Sequence, residues 1–233
     1  MSQSRILMIN PNSTDSMTDK MHDAAQGVLR AFTHLDAKTS TLGPPSIEGF
    51  ADGAVAVPPL LDIIRSHPEY DGYIIGCFDD TGLDAARVIT SKPVVGIGEA
   101  AMHVASMLSV VFAVVTTMRE AVPVITQNLQ RYGLGQRCCA VRAANIPVLD
   151  LEDPSSNAVQ RISEQIQIAI EEQGAEAIVL GCAGMVDLAA DLTDRFGVPV
   201  INGVVSAVAI MQALTQLGYR TSKVGGYAMQ RMK

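Results

Sequence analysis

The chain repeats itself: apolar, strand-like runs of its first half return in the same order in its second half. The run YDGYIIGC corresponds to EAIVLGC, and Cys182 follows Cys77 by 105 positions. Pro199 follows Pro93 by 106 positions, so the spacing is nearly constant. A period of this length is typical of a duplicated domain and is much longer than the repeats of solenoid proteins. The sequence therefore predicts two similar lobes.

Within each half, short apolar runs alternate with segments of helical periodicity. Strands that are apolar on both faces and separated by amphipathic helices are typical of a parallel sheet covered by helices on both sides. We therefore predict an α/β fold with two pseudo-symmetric lobes, residues 1–97 with 206–233 and residues 98–205, and an active site in the cleft between them. Ligands of such sheets bind beyond the carboxyl ends of the strands. The predicted strand runs are ILMIN, YIIGC, PVVGI, VVFAVV, AIVLGC and PVINGV.

Composition and charge narrow the class of partner. The 233 residues are 48% hydrophobic, enough for a substantial core, and carry a net charge of −7. An acidic chain without a basic cluster argues against nucleic acid and against an anionic membrane surface. The longest nearly uncharged apolar stretch, Val104–Val115, is shorter than the roughly 18 residues that span a bilayer. The first residues do not resemble a secretory signal, so we expect a cytoplasmic protein whose partner is a small molecule.

Two of the four cysteines are expected to have no chemical role. Cys138 and Cys139 are adjacent and lead into a strand-like run, and adjacent thiols are poorly placed to share a metal or a disulfide bridge. No two cysteines have the C-x-x-C spacing of zinc or redox sites. We therefore expect Cys138 and Cys139 to be inert packing residues.

The other two cysteines, Cys77 and Cys182, lie at equivalent ends of two predicted strands. Each follows a glycine that permits close backbone approach, and each precedes a helix-like segment. A cysteine at a strand end is often only a small buried hydrophobe. The pairing favours chemistry instead, because a helix N-terminus lowers the pKa of a thiol. We therefore predict lowered pKa values for both thiols and their placement on opposite walls of one cleft.

Two thiols in that arrangement are what racemisation of a carbon acid requires. One thiolate removes the proton from one face of the carbon, and the other thiol delivers a proton to the opposite face. Backbone N–H groups in Phe78-Asp79 and in Ala183-Gly184 are candidates to stabilise the enolate oxygen. This chemistry needs no cofactor, and we expect none and no metal.

The loops that follow the first strand of each half supply further candidates. Asn10 and Asn12 follow the run ILMIN, and their amides either form a turn and cap the next helix or contact a polar ring as donor and acceptor. Thr117 occupies the equivalent place in the second half. Among the residues expected around the cleft only His103 and Arg119 can be cationic, whereas a site for an α-carboxylate usually presents a cationic fork. The substrate is therefore expected to be uncharged.

Six segments carry a family resemblance: INPNS, GCFDD, KPVVGIGEAAMH, GAEAIVLGCAGM, GVPVI and GYRTSK. Together they resemble the hydantoin racemases, members of the aspartate/glutamate racemase superfamily with allantoin racemase as a close relative. The resemblance spans nearly the whole chain. It implies two flavodoxin-like lobes, racemisation of 5-monosubstituted hydantoins without metal or pyridoxal phosphate, and a homo-oligomer. It also implies that Cys77 and Cys182 are the acid/base pair and that Asn10, Thr117 and Gly184 lie near the substrate.

The sequence thus predicts a cofactor-independent racemase of neutral cyclic ureides, with hydantoins carrying one side chain at carbon 5 as the first substrate class. Allantoin is the nearest alternative substrate, and racemisation of an amino acid such as aspartate or glutamate is the second. A third interpretation is a small-molecule binding or sensing module in which the cysteines only pack. Exchange of the proton at the stereocentre distinguishes an enzyme from such a module.

Overall fold

The computed structural model describes residues 3–153 and 155–229. Within these residues the chain forms two four-stranded parallel sheets and eight α-helices. The strands are β1 (Ser4–Asn10), β2 (Thr33–Thr39), β3 (Gly72–Ile75), β4 (Val94–Gly96), β5 (Phe112–Thr116), β6 (Cys138–Ala143), β7 (Ala177–Leu180) and β8 (Val200–Ile201). The helices are α1 (Asp15–Gln26), α2 (Phe50–Ser66), α3 (Leu83–Ile89), α4 (Ile97–Leu108), α5 (Val122–Arg131), α6 (Ala158–Glu171), α7 (Ala189–Phe196) and α8 (Gly203–Gln216).

The two sheets have the same strand order, which confirms the predicted α/β fold of two similar lobes. The first is ordered β2-β1-β3-β4 and the second β6-β5-β7-β8. Their registers also agree, because Ile9 lies opposite Ile75 in the first sheet and Val115 lies opposite Leu180 in the second. These pairs differ by 106 positions (115 − 9) and 105 positions (180 − 75). The offset seen in the sequence therefore holds in the pairing of the strands.

Two of the eight strands are absent from the predicted set of apolar runs. Both β2 and β6 lie at the edge of their sheet, and the side chains of β6 are only partly buried. The residues of β2 are also partly exposed, whereas the other two edge strands, β4 and β8, are buried and read as apolar runs.

Helices α4 and α8 connect the lobes. Helix α4 follows β4 of the first sheet and packs against β7 and β8 of the second, whereas α8 follows β8 and packs against β1, β3 and β4 of the first. The two helices also pack along each other, and their buried residues belong to one apolar core that reaches both sheets. The predicted lobe boundaries, after residues 97 and 205, fall within the first turns of these helices; the division itself stays a prediction. None of the described helices is both long and apolar enough to cross a bilayer.

Candidate active site

The carboxyl ends of the inner strands of both sheets meet at one cleft. Its empty volume is about 400 Å³, including the open mouth. Residues that follow β1 and β3 form one wall, and residues at the ends of β5 and β7 form the other. The lining side chains that matter here are Asn12, Met17, Ile47, Cys77, Phe78 and Asp79 from the first half and Thr116, Thr117, Ala121, Val148, Cys182 and Ala183 from the second.

A glycine before each cysteine positions it through the same backbone hydrogen bond. The Gly76 N–H donates to the Ile9 carbonyl and the Gly181 N–H donates to the Val115 carbonyl, each at 2.8 Å. These bonds extend the sheet by one residue beyond the strand, and the next residue is the cysteine. A Cβ atom at Gly76 would lie 2.8 Å from the Met21 Sδ atom, and one at Gly181 would lie 2.8 Å from the Thr116 Cβ atom. Larger residues therefore do not fit before either cysteine.

The backbone N–H groups of Asp79 and Gly184 act on the two sulfur atoms. Each lowers the pKa of the cysteine two residues before it, as a hydrogen bond to a thiolate does. The Thr81 hydroxyl donates a hydrogen bond to the Cys77 Sγ atom at 3.5 Å, which also favours the thiolate over the thiol. Asp79 lines the cleft and Gly184 is not among its lining residues, so the predicted contacts of these N–H groups with the enolate stay predictions.

The pKa values of the two thiols contradict the prediction from the helix N-termini. Burial raises the pKa of Cys182 to about 12 and raises the pKa of Cys77 well above its usual value. The nearby Asp79 carboxylate raises both values further. Helix α3 begins six residues after Cys77, so its N-terminus does not reach this thiol. Cys182 does cap a six-residue 3-10 helix (183–188), but the effect of burial on its pKa is larger. Burial therefore favours the protonated thiol at both cysteines.

Asp80 shapes the loop that follows Cys77. It is 3% exposed and adopts a left-handed conformation with φ of 51°. Its carboxylate accepts hydrogen bonds from the Gly98 N–H (3.0 Å), the Glu99 N–H (2.7 Å) and the Tyr132 hydroxyl (2.6 Å). It thereby joins the Cys77 loop to the start of α4 and to the residue that follows α5. The loop is thus held from both halves of the chain.

The run VVGIGE provides the space that Asp80 needs. A Cβ atom at Gly96 would lie 1.9 Å from the Asp80 Oδ1 atom, and one at Gly98 would lie 2.2 Å from the Phe78 carbonyl oxygen. Real Cβ contacts are not this short, so both positions require glycine for close packing. The segment VVGIGE therefore contributes to the position of the Cys77 loop, although it lies far from Cys77 in the sequence.

The two asparagines after β1 have different roles. Asn10 is fully buried, and its amide nitrogen lies 2.8 Å from the Asn12 Oδ1 atom and 3.0 Å from the Thr18 Oγ1 atom. Asn10 is not among the residues that line the cleft, and its side chain forms the hydrogen bonds of the turn; its predicted contact with substrate stays a prediction. Asn12 lines the cleft, and its amide nitrogen has only the weak acceptor Met17 Sδ at 3.5 Å. Asn12 therefore has a donor available for a ligand.

The cleft contains little positive charge. No basic residue lines it within the described parts of the chain. Arg119 is largely exposed and pairs with Glu120 at 3.2 Å, and His103 packs against the Tyr132 ring with centroids 6.2 Å apart. One cation acts on a cysteine of the cleft, Lys20 of α1, which no motif in the sequence indicates. It lies 3.5 Å from Asp187, and its charge lowers the pKa of Cys182 against the larger effect of burial.

A second missed residue, Glu48, connects the lobes at the cleft. Its Oε1 atom accepts a hydrogen bond from the Val148 N–H at 2.9 Å, and its charge raises the pKa of Cys182. Ile47 and Val148 line the cleft on either side of this bond. Glu48 lies in the long loop between β2 and α2, and no local pattern predicts where such a loop runs.

Comparison with known proteins identifies the family. A model described as Asp/Glu/Hydantoin racemase matches residues 6–211. The hydantoin racemase of Rhizobium meliloti is 47% identical over 230 residues, covering 98% of this chain and 95% of that protein. The chain belongs to the Asp/Glu/hydantoin racemase family. The resemblance noted in the sequence is thereby confirmed, and so is the enzyme class, a racemase.

Solved structures agree with this assignment. The allantoin racemase of Klebsiella pneumoniae superposes on the racemase described here with a TM-score of 0.96 at 42% identity, covering 99% of this chain and 95% of that chain. A glutamate racemase of Campylobacter jejuni subsp. jejuni superposes with a TM-score of 0.65 at 16% identity, covering 93% of this chain and 86% of that chain. At this lower identity the likeness shows the fold alone.

Two cysteines of this racemase lie away from the cleft. Cys138 and Cys139 begin β6 rather than precede it, and Cys139 is exposed. They are at the amino end of an edge strand, opposite the carboxyl ends that form the cleft. Replacing both with alanine should therefore lower the free energy of unfolding by only about 1 kcal/mol and leave racemisation unchanged within about twofold. Chemical denaturation and steady-state kinetics check this, and loss of activity in a folded double variant would contradict it.

Proposed function

We propose that this racemase interconverts the D and L enantiomers of 5-monosubstituted hydantoins, with Cys77 and Cys182 as the two acid/base groups and without a cofactor. The observation that carries the proposal is the placement of two thiols at equivalent positions of two lobes, in one cleft that no described basic residue lines. A neutral cyclic ureide fits such a cleft, whereas an amino-acid carboxylate lacks a cationic partner there.

The mechanism follows from the two opposite walls. One cysteine, as thiolate, removes the proton from carbon 5, and the other thiol protonates the opposite face of the enolate; in the reverse direction the roles exchange. The hydrogen bonds from Asp79 N–H and Gly184 N–H stabilise whichever sulfur is ionised. The N–H groups of Phe78 and Ala183, for which the described residues offer no acceptor, are the donors proposed for the enolate oxygen.

Other substrates fit the same chemistry to different extents. Allantoin is itself a hydantoin with a ureido group at carbon 5, and the likeness to an allantoin racemase over 99% of the chain supports it as the second candidate. Aspartate and glutamate are disfavoured because no Lys or Arg lines the cleft among residues 3–153 and 155–229. A binding or sensing module would leave the proton at carbon 5 in place. The predicted homo-oligomer and cytoplasmic location stay predictions.

The substrate class is tested by loss of optical rotation on a panel of alkyl hydantoins, aryl hydantoins, allantoin, aspartate and glutamate. Protein treated with a chelator and freed of small molecules by dialysis should racemise at least one hydantoin at the rate of untreated protein. The physical reason is that both protons are carried by side chains of the chain itself. Activity that appears only with the amino acids, or only after a metal is added, would contradict the proposal.

A further inference from the structure

The side chain of Asp79 is the most unusual polar group in the cleft. It lines the cleft together with both cysteines, and its Oδ2 atom is buried without a hydrogen-bond partner among the described residues. Burial raises the pKa of this carboxyl to about 7. A buried carboxyl oxygen without a donor is energetically costly, so such groups usually have a function or a missing partner.

The position of Asp79 is held by its backbone and not by its carboxyl group. The Asn128 Nδ2 atom donates to the Asp79 carbonyl at 2.8 Å. Its neighbour Asp80 is fixed in the left-handed conformation by three hydrogen bonds. The Asp79 carboxyl is therefore oriented by a rigid loop while it remains unpaired. A preorganised group of this kind binds a ligand without first breaking a protein contact.

Asp79 follows Cys77 by two residues and lines the same cleft as Cys77 and Cys182. Its charge raises the pKa of Cys77 and of Cys182 alike, although these residues belong to different lobes. In the proposed mechanism the two sulfurs flank carbon 5 of the substrate. An acceptor close to both sulfurs is therefore close to the atoms bonded to carbon 5, and one of these is the ring nitrogen that carries an N–H.

We propose that the Asp79 carboxylate accepts a hydrogen bond from the ring N–H adjacent to carbon 5 and repels substrates that carry a carboxylate, which makes it the residue that selects neutral ureides. This role rests on the proposed hydantoin chemistry. As a carboxylate it has only acceptors to offer, so it requires a donor on the substrate. In a cleft without a basic lining residue, a substrate carboxylate would meet an uncompensated like charge.

The test combines Asp79→Asn, which keeps the size of the side chain, with N-methylated substrates. In the wild-type racemase, methylation of the ring nitrogen adjacent to carbon 5 should lower kcat/KM by about 10- to 100-fold, because it removes a hydrogen bond to a charged group. In Asp79→Asn the parent hydantoin should lose a similar factor, and this methylation should then cost little more. Methylation of the other ring nitrogen is the control substrate and should have the same effect in both proteins.

The methylation penalty is the ratio of two kcat/KM values measured on the same protein, so a reduced fraction of folded enzyme does not change it. Asp84→Asn, a carboxyl on α3 that pairs with Arg131 at 3.0 Å outside the cleft, is the control variant and should retain the wild-type methylation penalty. A full methylation penalty that persists in Asp79→Asn would overturn the assignment. The assignment would also be overturned if Asp79→Asn removed the penalty for methylation of the other ring nitrogen and not the penalty for the nitrogen adjacent to carbon 5.

A second measurement tests the repulsion between the Asp79 carboxylate and a carboxylate on the ligand. The ring-opened N-carbamoyl carboxylate of the same hydantoin should inhibit Asp79→Asn with a Ki about tenfold lower than it inhibits the wild type, because the like charge is gone. An unchanged Ki would overturn the selective role.

Calorimetric binding of the parent and methylated hydantoins separates this inference from the proposed function. A wild type that binds hydantoins with the selective penalty but does not racemise them overturns only the proposed function. A wild type that racemises hydantoins without the methylation penalty overturns only the role of Asp79. A wild type that neither binds nor racemises hydantoins overturns both the role of Asp79 and the proposed function.

Discussion

Replacing either Cys77 or Cys182 with alanine is expected to lower the rate of racemisation by roughly 10³-fold. The physical reason is that the loss of a general acid/base group removes about 10²- to 10⁴-fold of catalysis. Polarimetry on the best hydantoin of the panel measures this. Cys139→Ala, an exposed cysteine outside the cleft, is the control and should retain full activity. Thermal unfolding should show that each cleft variant remains folded.

The two variants should also differ from each other. Each retains one thiol, which reaches only the enantiomer whose proton points towards it. In heavy water, Cys77→Ala should therefore exchange the proton of one enantiomer without racemising it, and Cys182→Ala should exchange that of the other. Mass spectrometry of each pure enantiomer gives the deuterium content. Full racemisation by either folded variant would rule out a mechanism with two thiols, and a wild type that binds hydantoins without any exchange would favour a sensing module.

Gly98→Ala is expected to damage both stability and activity. The new Cβ atom would lie 2.2 Å from the Phe78 carbonyl oxygen and 2.9 Å from the Asp80 Oδ2 atom, so the loop that carries Asp79 and orients Cys77 must move. Overpacking of this kind lowers the free energy of unfolding by about 1–3 kcal/mol. Displacement of a catalytic group by about 1 Å lowers kcat by roughly 10²-fold. Urea denaturation and steady-state kinetics check the two effects.

Gly53→Ala is the matched control, because it makes the same chemical change in a helix where a Cβ atom meets nothing within 4 Å. It should raise the free energy of unfolding by up to about 1 kcal/mol, through the better helix propensity of alanine, and leave kcat unchanged. If Gly98→Ala behaves like this control, the close packing between α4 and the Cys77 loop does not position the thiol.

The strands that the sequence predicted are those whose neighbours bury them on both faces. The inner strands β1, β3, β5 and β7 read as apolar runs because helices cover both sides of each sheet. The edge strands β2 and β6 were not predicted as runs, since their burial is incomplete. Local hydrophobicity reports how far a strand is buried and not where it lies in the sheet, because β4 and β8 are also edge strands, yet they are buried and were predicted as apolar runs.

The site residues also fall into those that the sequence predicted and those that it did not. Cys77 and Cys182 were identified because duplication places equivalent residues at equivalent strand ends, which is a property of the sequence alone. The raised pKa values of these two cysteines were not predicted, because burial depends on how the lobes meet. The charge of Asp79 also acts on Cys182, which lies 103 positions further along the chain (182 − 79). Asn10 was assigned to the substrate and Asn12 left between two roles, since a sequence does not tell which of two nearby amides turns inward.

The amino-acid sequence by itself therefore determined the fold class, the internal repeat, the cysteine pair and the family, because periodicity, spacing and motifs are carried by short segments. Only the tertiary structure decided which groups face the cleft and in which state of charge. Lys20 and Glu48 act on Cys182 from α1 and from the loop before α2. The buried Oδ2 atom of Asp79, in the cleft that both cysteines line, has no hydrogen-bond partner in the described part of the chain. These facts depend on distances between segments far apart in the chain and on exclusion of water, and neither quantity is encoded in a local pattern.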